Sequence, residues 1–212
     1  MTVLFQPSTN SIPGRLATLV VLLGLGAVFV VSYWFSPRHT DVGYQPIQPV
    51  AYSHKLHAGI MGMDCRYCHQ KVESGAHATI PDTATCMNCH SKVLPNSDLL
   101  KDVRASAATS DPIPWVKVHM LPDFVYFDHS IHIRAGVGCA SCHGRIDQME
   151  IVRQAEPLSM SWCLECHRAP EAHLRPAGEI TNMAYEPKLE VGKLIKDQKH
   201  LNPPTHCSAC HR

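Results

Sequence analysis

The sequence predicts a mainly α-helical and irregular chain, in which one N-terminal transmembrane helix precedes a duplicated domain with little side-chain core. Three observations carry this prediction. An uncharged apolar run lies near the N-terminus, five copies of one cysteine–histidine pattern follow it, and the alternating pattern of strands is almost absent.

The first element is the run Leu16 to Phe35, which holds no charged residue. At helical rise a stretch of this length covers roughly 30 Å, the thickness of a bilayer core. A cleavable signal has a shorter apolar core and a small-x-small site. This run instead closes on Ser32-Tyr33-Trp34-Phe35-Ser36-Pro37, whose Tyr-Trp pair suits an interfacial aromatic belt. The expected layout is an irregular cytoplasmic tail over 1–15 with Pro7 and Pro13, an uncleaved signal anchor over 16–36, and an extended linker over 37–50 holding Pro37, Pro46 and Pro49. Arg15 and Arg38 flank the two ends, so charge alone does not orient the anchor.

The region 51–212 carries the chemistry. All ten cysteines fall in one repeated pattern: Cys65-Arg66-Tyr67-Cys68-His69, Cys86-Met87-Asn88-Cys89-His90, Cys139-Ala140-Ser141-Cys142-His143, Cys163-Leu164-Glu165-Cys166-His167 and Cys207-Ser208-Ala209-Cys210-His211. A disulfide framework does not require a histidine after every second cysteine. Structural zinc is indifferent to a histidine at this offset. Covalent haem attachment needs both features: two thiols add to the two vinyl groups, and the next residue lies under the iron. The expectation is therefore five covalently bound haem c groups, with His69, His90, His143, His167 and His211 as proximal ligands. Attachment of this kind belongs to an oxidising compartment, which in bacteria lies beyond the cytoplasmic membrane. That orients a single-pass protein with its haem domain on the periplasmic side. The formal charge of +1 excludes the basic field that nucleic-acid binding needs.

The domain repeats. Tyr52-Ser53-His54-Lys55-Leu56-His57 precedes Cys65, and Phe127-Asp128-His129-Ser130-Ile131-His132 precedes Cys139, an offset of 75 residues from Tyr52 to Phe127. Two modules follow, about 51–110 and 115–175, with a fifth haem carried by 176–212. Helices are expected over Ser97 to Ala108, capped by Ser97, and over Lys188 to Lys199; the only strand signal is Phe124 to Phe127. With roughly 35 residues per haem, the porphyrins themselves must be the core, as in class III-like multihaem cytochromes.

Each iron that only carries electrons needs a sixth ligand. Residues i and i+3 of His-x-x-His share a helix face yet stand too close together to be trans ligands of one iron. The pairs are expected to serve neighbouring haems: His54 that of Cys65/Cys68, His129 that of Cys139/Cys142, with His57 and His132 reaching to others. For the fifth distal ligand Met149, His119, His77 and His206 stay open, and a methionine would raise that haem's potential. Arg145, Arg153, Arg168 and Arg175 are expected to pair with propionates. No catalytic set emerges: there is no phosphate loop, nucleophile elbow or carboxylate cluster.

The strings Tyr-Ser-His-Lys-Leu-His before Asp64-Cys65, Leu121-Pro122-Asp123-Phe124-Val125-Tyr126-Phe127 and Ser159-Met160-Ser161-Trp162-Cys163 make residues 50–170 resemble the pentahaem cytochrome subunit of bacterial alternative complex III. The resemblance implies an electron-transfer subunit of a quinol-oxidising respiratory or photosynthetic complex. It implies partners too: an iron–sulfur subunit of molybdopterin-family type, polytopic membrane subunits, and a mono-haem cytochrome or soluble carrier as acceptor. Two other readings use the same residues, namely a membrane-anchored quinol dehydrogenase feeding a periplasmic reductase, and a multihaem catalytic reductase.

Overall fold

The computed structural model describes residues 6–211. They form two compact units, one running up to Asp41 and one from Val42 onward.

The first unit is one long helix with a short one after it. A 3-10 turn, Pro7–Ser11, leads into α1, Ile12–Trp34. The helix thus begins ahead of the predicted run, and of the stretch 1–15 expected to be irregular the part from Pro7 on is helical, residues 1–5 lying outside the described residues. Pro13 explains this: in the first turn a missing N–H leaves no hydrogen bond broken, and proline's fixed φ already suits a helix. No side chain of α1 is buried. By length and composition Pro7–Trp34 can cross a membrane. The short helix α2, Pro37–Thr40, follows, and His39 lies against the rings of Tyr33 and Trp34 at 4.6 and 5.3 Å.

The second unit is a succession of short helices and loops. A π-helical turn, Lys55–Ile60, precedes α3, Cys65–Cys68, and α4, Thr83–His90. Then come α5, Lys101–Thr109, α6, His129–Ala135, and α7, Ala140–His143. The series ends with α8, Met160–Arg168, α9, Leu189–Gln198, and α10, Cys207–Cys210. Among the described residues no strand forms. The expected strand at Phe124–Phe127 reduces to one bridge between Val125 and His211, and the Tyr126 N–H donates to the Cys210 carbonyl at 2.9 Å.

Local signals set most helix starts. Asp64 accepts from the Arg66 N–H at 2.8 Å, Asp82 from Thr85 at 2.9 Å, and Ser159 from Trp162 at 3.4 Å; each is an N-cap. Ser97 caps a 3-10 turn, Asp98–Leu100, that leads into α5. Val103 is buried there as the pattern requires, but Leu99 is exposed, because the tighter turn rotates it off the packed face. Ser110 ends α5 at φ 64°.

The core is thin. Among the described residues nine apolar side chains are buried, and of these only Leu174 falls below 2% exposure. Close backbone approaches add to this packing. A Cβ on Gly192 would overlap the Glu171 carbonyl, so α9 can lie directly on the 3-10 turn Pro170–Ala172. Lys196 ties the same contact to Glu171 at 3.0 Å. Gly59 likewise meets the backbone of Asp147, and the Lys55 N–H donates to Met149 at 3.0 Å.

Gly192→Ala is therefore expected to destabilise the protein by about 2–3 kcal/mol in denaturant unfolding, because backbone rather than a flexible side chain must move. Gly178→Ala, where a Cβ meets nothing within 4 Å, should stay within about 0.5 kcal/mol.

Candidate functional site

Each cysteine pair occupies one helical turn. Cys65 and Cys68 bound α3, Cys86 and Cys89 lie in α4, Cys139 is the N-cap of α7 ahead of Cys142, Cys163 and Cys166 lie in α8, and Cys207 and Cys210 bound α10. An i, i+3 spacing puts both sulfurs on one face of the turn. All ten are free thiols. Among the described residues no three His, Cys, Asp or Glu side chains converge as a metal cluster, so the donor set does not fit structural zinc.

The imidazoles are held in one tautomer. The Nδ1 of His57 donates to the Ser53 carbonyl at 2.9 Å, that of His69 to Thr79 at 2.6 Å, and that of His90 to Val93 at 3.0 Å. His129 donates to Ala76 at 2.8 Å, His132 to Asp128 at 2.7 Å, and His167 to Pro204 at 2.7 Å. A carbonyl only accepts, so the proton sits on Nδ1 and the Nε2 lone pair stays available to a metal. Burial, helped by neighbouring imidazoles, pushes His54 down to about 4 and His143 to about 3. It lowers His119 and His132 as well. These rings are neutral at pH 7, the state in which they ligate.

Three ring pairs stand at nearly one centroid distance, with interplanar angles of 64° for His57 and His90, 40° for His132 and His167 and 9° for His129 and His143. The centroids of His57 and His90 are 6.2 Å apart, those of His132 and His167 6.2 Å, and those of His129 and His143 6.4 Å. Two imidazoles on opposite sides of one metal, each with a bond of about 2 Å, stand about 6.3 Å apart centre to centre. His69 is the first imidazole, after burial, to depress His54. The duplication is visible in three dimensions. Tyr52 stacks on His57 at 4.5 Å and meets His54 edge-on at 4.8 Å; Phe127 treats His132 and His129 in the same way at 4.5 and 4.8 Å.

The motifs neighbour one another in an order different from the chain. Asn88 of the second motif donates to the Tyr67 hydroxyl of the first at 3.2 Å, and Cys68 lies beside Cys86 and Cys89. The first motif lies close to the third, Cys65 being the neighbour of Cys139. Cys142, pushed up to about 12 mainly by burial, lies near Cys166 and Cys163 of the fourth. Cys163 in turn lies near Cys210 of the fifth. The succession is second, first, third, fourth, fifth.

The remaining candidates are scattered. His77 and His206 are exposed. Met149 is buried beneath Gly144. His119 places its Nε2 3.4 Å from the Nδ1 of His143. His211 has the Phe124 ring 5.6 Å away, tilted by 38°. Of the arginines, Arg145 is bonded to Asp147 at 2.7 Å. Arg175 is different: it is 2% exposed, lies against Gly138, stacks over Tyr185 at 5.2 Å and donates from Nη1 to Asn182 at 3.0 Å, while its Nε has no partner. A buried guanidinium with no carboxylate is costly. A haem propionate would satisfy it, so this atom and the imidazole spacing both fit the cofactor that the motifs imply. The chain pattern had no signal for which arginine would be buried, or for the carbonyls that orient the rings.

Comparison with known proteins adds two similarities in sequence. Residues 125–212 match the sequence profile of the family described as cytochrome c7 and related cytochrome c. The multiheme cytochrome c subunit of a menaquinone reductase from Nitratidesulfovibrio vulgaris is 34% identical over 122 residues, 57% of this chain and 56% of that protein. The chain thus spans about half the length of that curated relative. The second unit is mainly helical and irregular, and its part over 125–212 is similar to cytochrome c7 and related cytochromes c.

Phe127→Leu is expected to cost about 1–3 kcal/mol in thermal unfolding, because two imidazoles lose their shared platform. Tyr52→Phe should be nearly neutral, since the second copy already has a phenyl ring there.

Proposed function

We propose that this chain is the electron-transfer subunit of a quinone-linked membrane complex of the alternative complex III type, holding five covalently bound haem c groups on the periplasmic side of the bacterial cytoplasmic membrane. The observation that carries the reading is the gathering of the five Cys-x-x-Cys-His motifs in one unit, with histidine pairs at the second, third and fourth of them whose ring centroids stand 6.2, 6.4 and 6.2 Å apart. Haem iron supplies one-electron chemistry at each of these places when bound.

The chain's own residues hold and orient. The cysteine pairs fix each porphyrin, and His69, His90, His143, His167 and His211 stand as proximal ligands. His54, His57, His129 and His132 close the opposite sides of four irons, paired with His69, His90, His143 and His167. The neutral tautomers and ring separations support this pairing. These eight histidines would hold four haem irons between them and leave them closed to a substrate, so we read the chain as a conductor without a catalytic site. The apolar helix α1 supports a membrane anchor. The relative's name, a subunit of a menaquinone reductase, supports the quinone link. The partners that follow are an iron–sulfur subunit, polytopic membrane subunits and a mono-haem or soluble carrier.

A second reading has one observation in its favour. An open cleft of about 870 Å³ beside the second motif is lined by apolar groups including Ile80, Met87, Ile113 and Trp115. A membrane-anchored quinol dehydrogenase feeding a periplasmic reductase would use such a cleft.

The readings separate on the purified full-length chain. A pyridine haemochrome assay should give five haems per chain. Carbon monoxide added to the reduced protein should leave four of the five irons spectrally unchanged. The isolated chain should not oxidise a menaquinol analogue, whereas native preparations containing the iron–sulfur and polytopic subunits should. Quinol oxidation by the chain alone, or carbon monoxide binding at several irons, would overturn the proposal.

A further inference from the structure

Among the imidazoles that the ligand pairing leaves unused, the half-buried His119 lies directly against a motif histidine. Its ring meets that of His143 edge-on, with centroids 4.4 Å apart and planes at 82°, and its Nε2 is 3.4 Å from the His143 Nδ1. His143 already faces His129 across 6.4 Å with nearly parallel planes, so the place opposite His143 is taken. Every other motif histidine with a recorded Nδ1 contact, His69, His90 and His167, donates to a backbone carbonyl. His143 alone among these has a side chain as its partner.

The proton positions follow from the chemistry. If the Nε2 of His143 faces iron, its remaining proton is on Nδ1 and must be donated outward. The Nε2 of His119 then accepts it, and His119 keeps its own proton on Nδ1. An acceptor on Nδ1 makes the ligating imidazole a stronger donor, fixes its rotation and favours the oxidised iron.

We propose that His119 is a positioning residue for His143: a side-chain acceptor that orients this ligand and lowers the potential of the Cys139/Cys142 haem, the middle member of the succession. This rests on the ligand pairing proposed above. It replaces the expectation that His119 is itself an iron ligand, and it gives a role to a half-buried histidine outside the repeated His-x-x-His units. It also makes this haem the one whose ligand orientation a side-chain substitution can tune, since a backbone carbonyl cannot be mutated.

The test compares wild type with His119→Leu and His119→Gln in the full-length protein. Each is checked for five haems per chain, titrated by spectroelectrochemistry and examined by electron paramagnetic resonance. In His119→Leu, one of the five Nernst components should move to higher potential, one low-spin signal should change its g values, and no iron should become high-spin. Glutamine retains an acceptor oxygen and should return that component most of the way towards wild type. Unchanged potentials in His119→Leu would overturn the inference. So would a new high-spin iron that binds carbon monoxide, because His119 would then be a ligand. Failure of the ligand pairing itself is seen separately, as several high-spin irons already present in wild type.

Discussion

The hydrogen bond from an imidazole Nδ1 to a backbone carbonyl is the interaction on which the site depends. It is made six times, from His57, His69, His90, His129, His132 and His167. Each bond does two things at once. It selects the tautomer that leaves Nε2 free, and it ties the ring to a loop rather than to a packed core. A domain with so few buried apolar residues cannot hold side chains by packing alone. Polar tethers with defined geometry take over that role, and the aromatic platforms Tyr52 and Phe127 add the missing wall.

The same tethers knit the two modules together. His129 belongs to the second copy but donates to Ala76 in the first, and the backbone N–H groups of His129 and Ser130 reach Ala76 and Gly75. His167 of the fourth motif donates to Pro204, just ahead of the fifth. Orientation of one ring therefore requires correct placement of a segment tens of residues away. The repeat is not perfect, and its departures carry information. His57 and His132 bond the carbonyl four residues back in both copies, whereas His129 has the Ala76 carbonyl and the Nδ1 of His54 is buried without a partner. The third motif, where the modules meet, is the place where a side chain, His119, stands in for a carbonyl.

Much of this was legible beforehand because it is local. A Cys-x-x-Cys-His string sets both sulfurs on one turn whatever surrounds it, and Asp64, Asp82 and Ser159 announce the starts of the turns that carry three of the motifs. The expected helix over 188–199 forms as α9 because its apolar period and terminators lie within the segment. The strand expected at Phe124–Phe127 does not form, since a strand needs a partner. The partner supplied is a single residue, His211, in a segment otherwise turned by its own motif. Pro13, a residue that breaks helix interiors, favours the helix here because it stands in the first turn.

By itself, then, the sequence determined the attachment pairs, the apolar helix, the duplication and the identity of the imidazoles that come in pairs. All of these are set within a turn or two of helix, by spacing and by covalent chemistry. Tertiary structure decided which imidazole faces which, the succession that runs from the second motif through the first to the third, and the conversion of His119 from ligand candidate to partner of His143. Those placements, the contact between His119 and His143 among them, depend on loops that bring together residues such as Cys65 and Cys139, far apart in the chain, while the role of His119 stays a proposal. Hydrophobic pattern is silent about them, because in this domain the contacts that choose the arrangement are hydrogen bonds to backbone and close backbone approaches at glycine, which leave almost no trace in residue type.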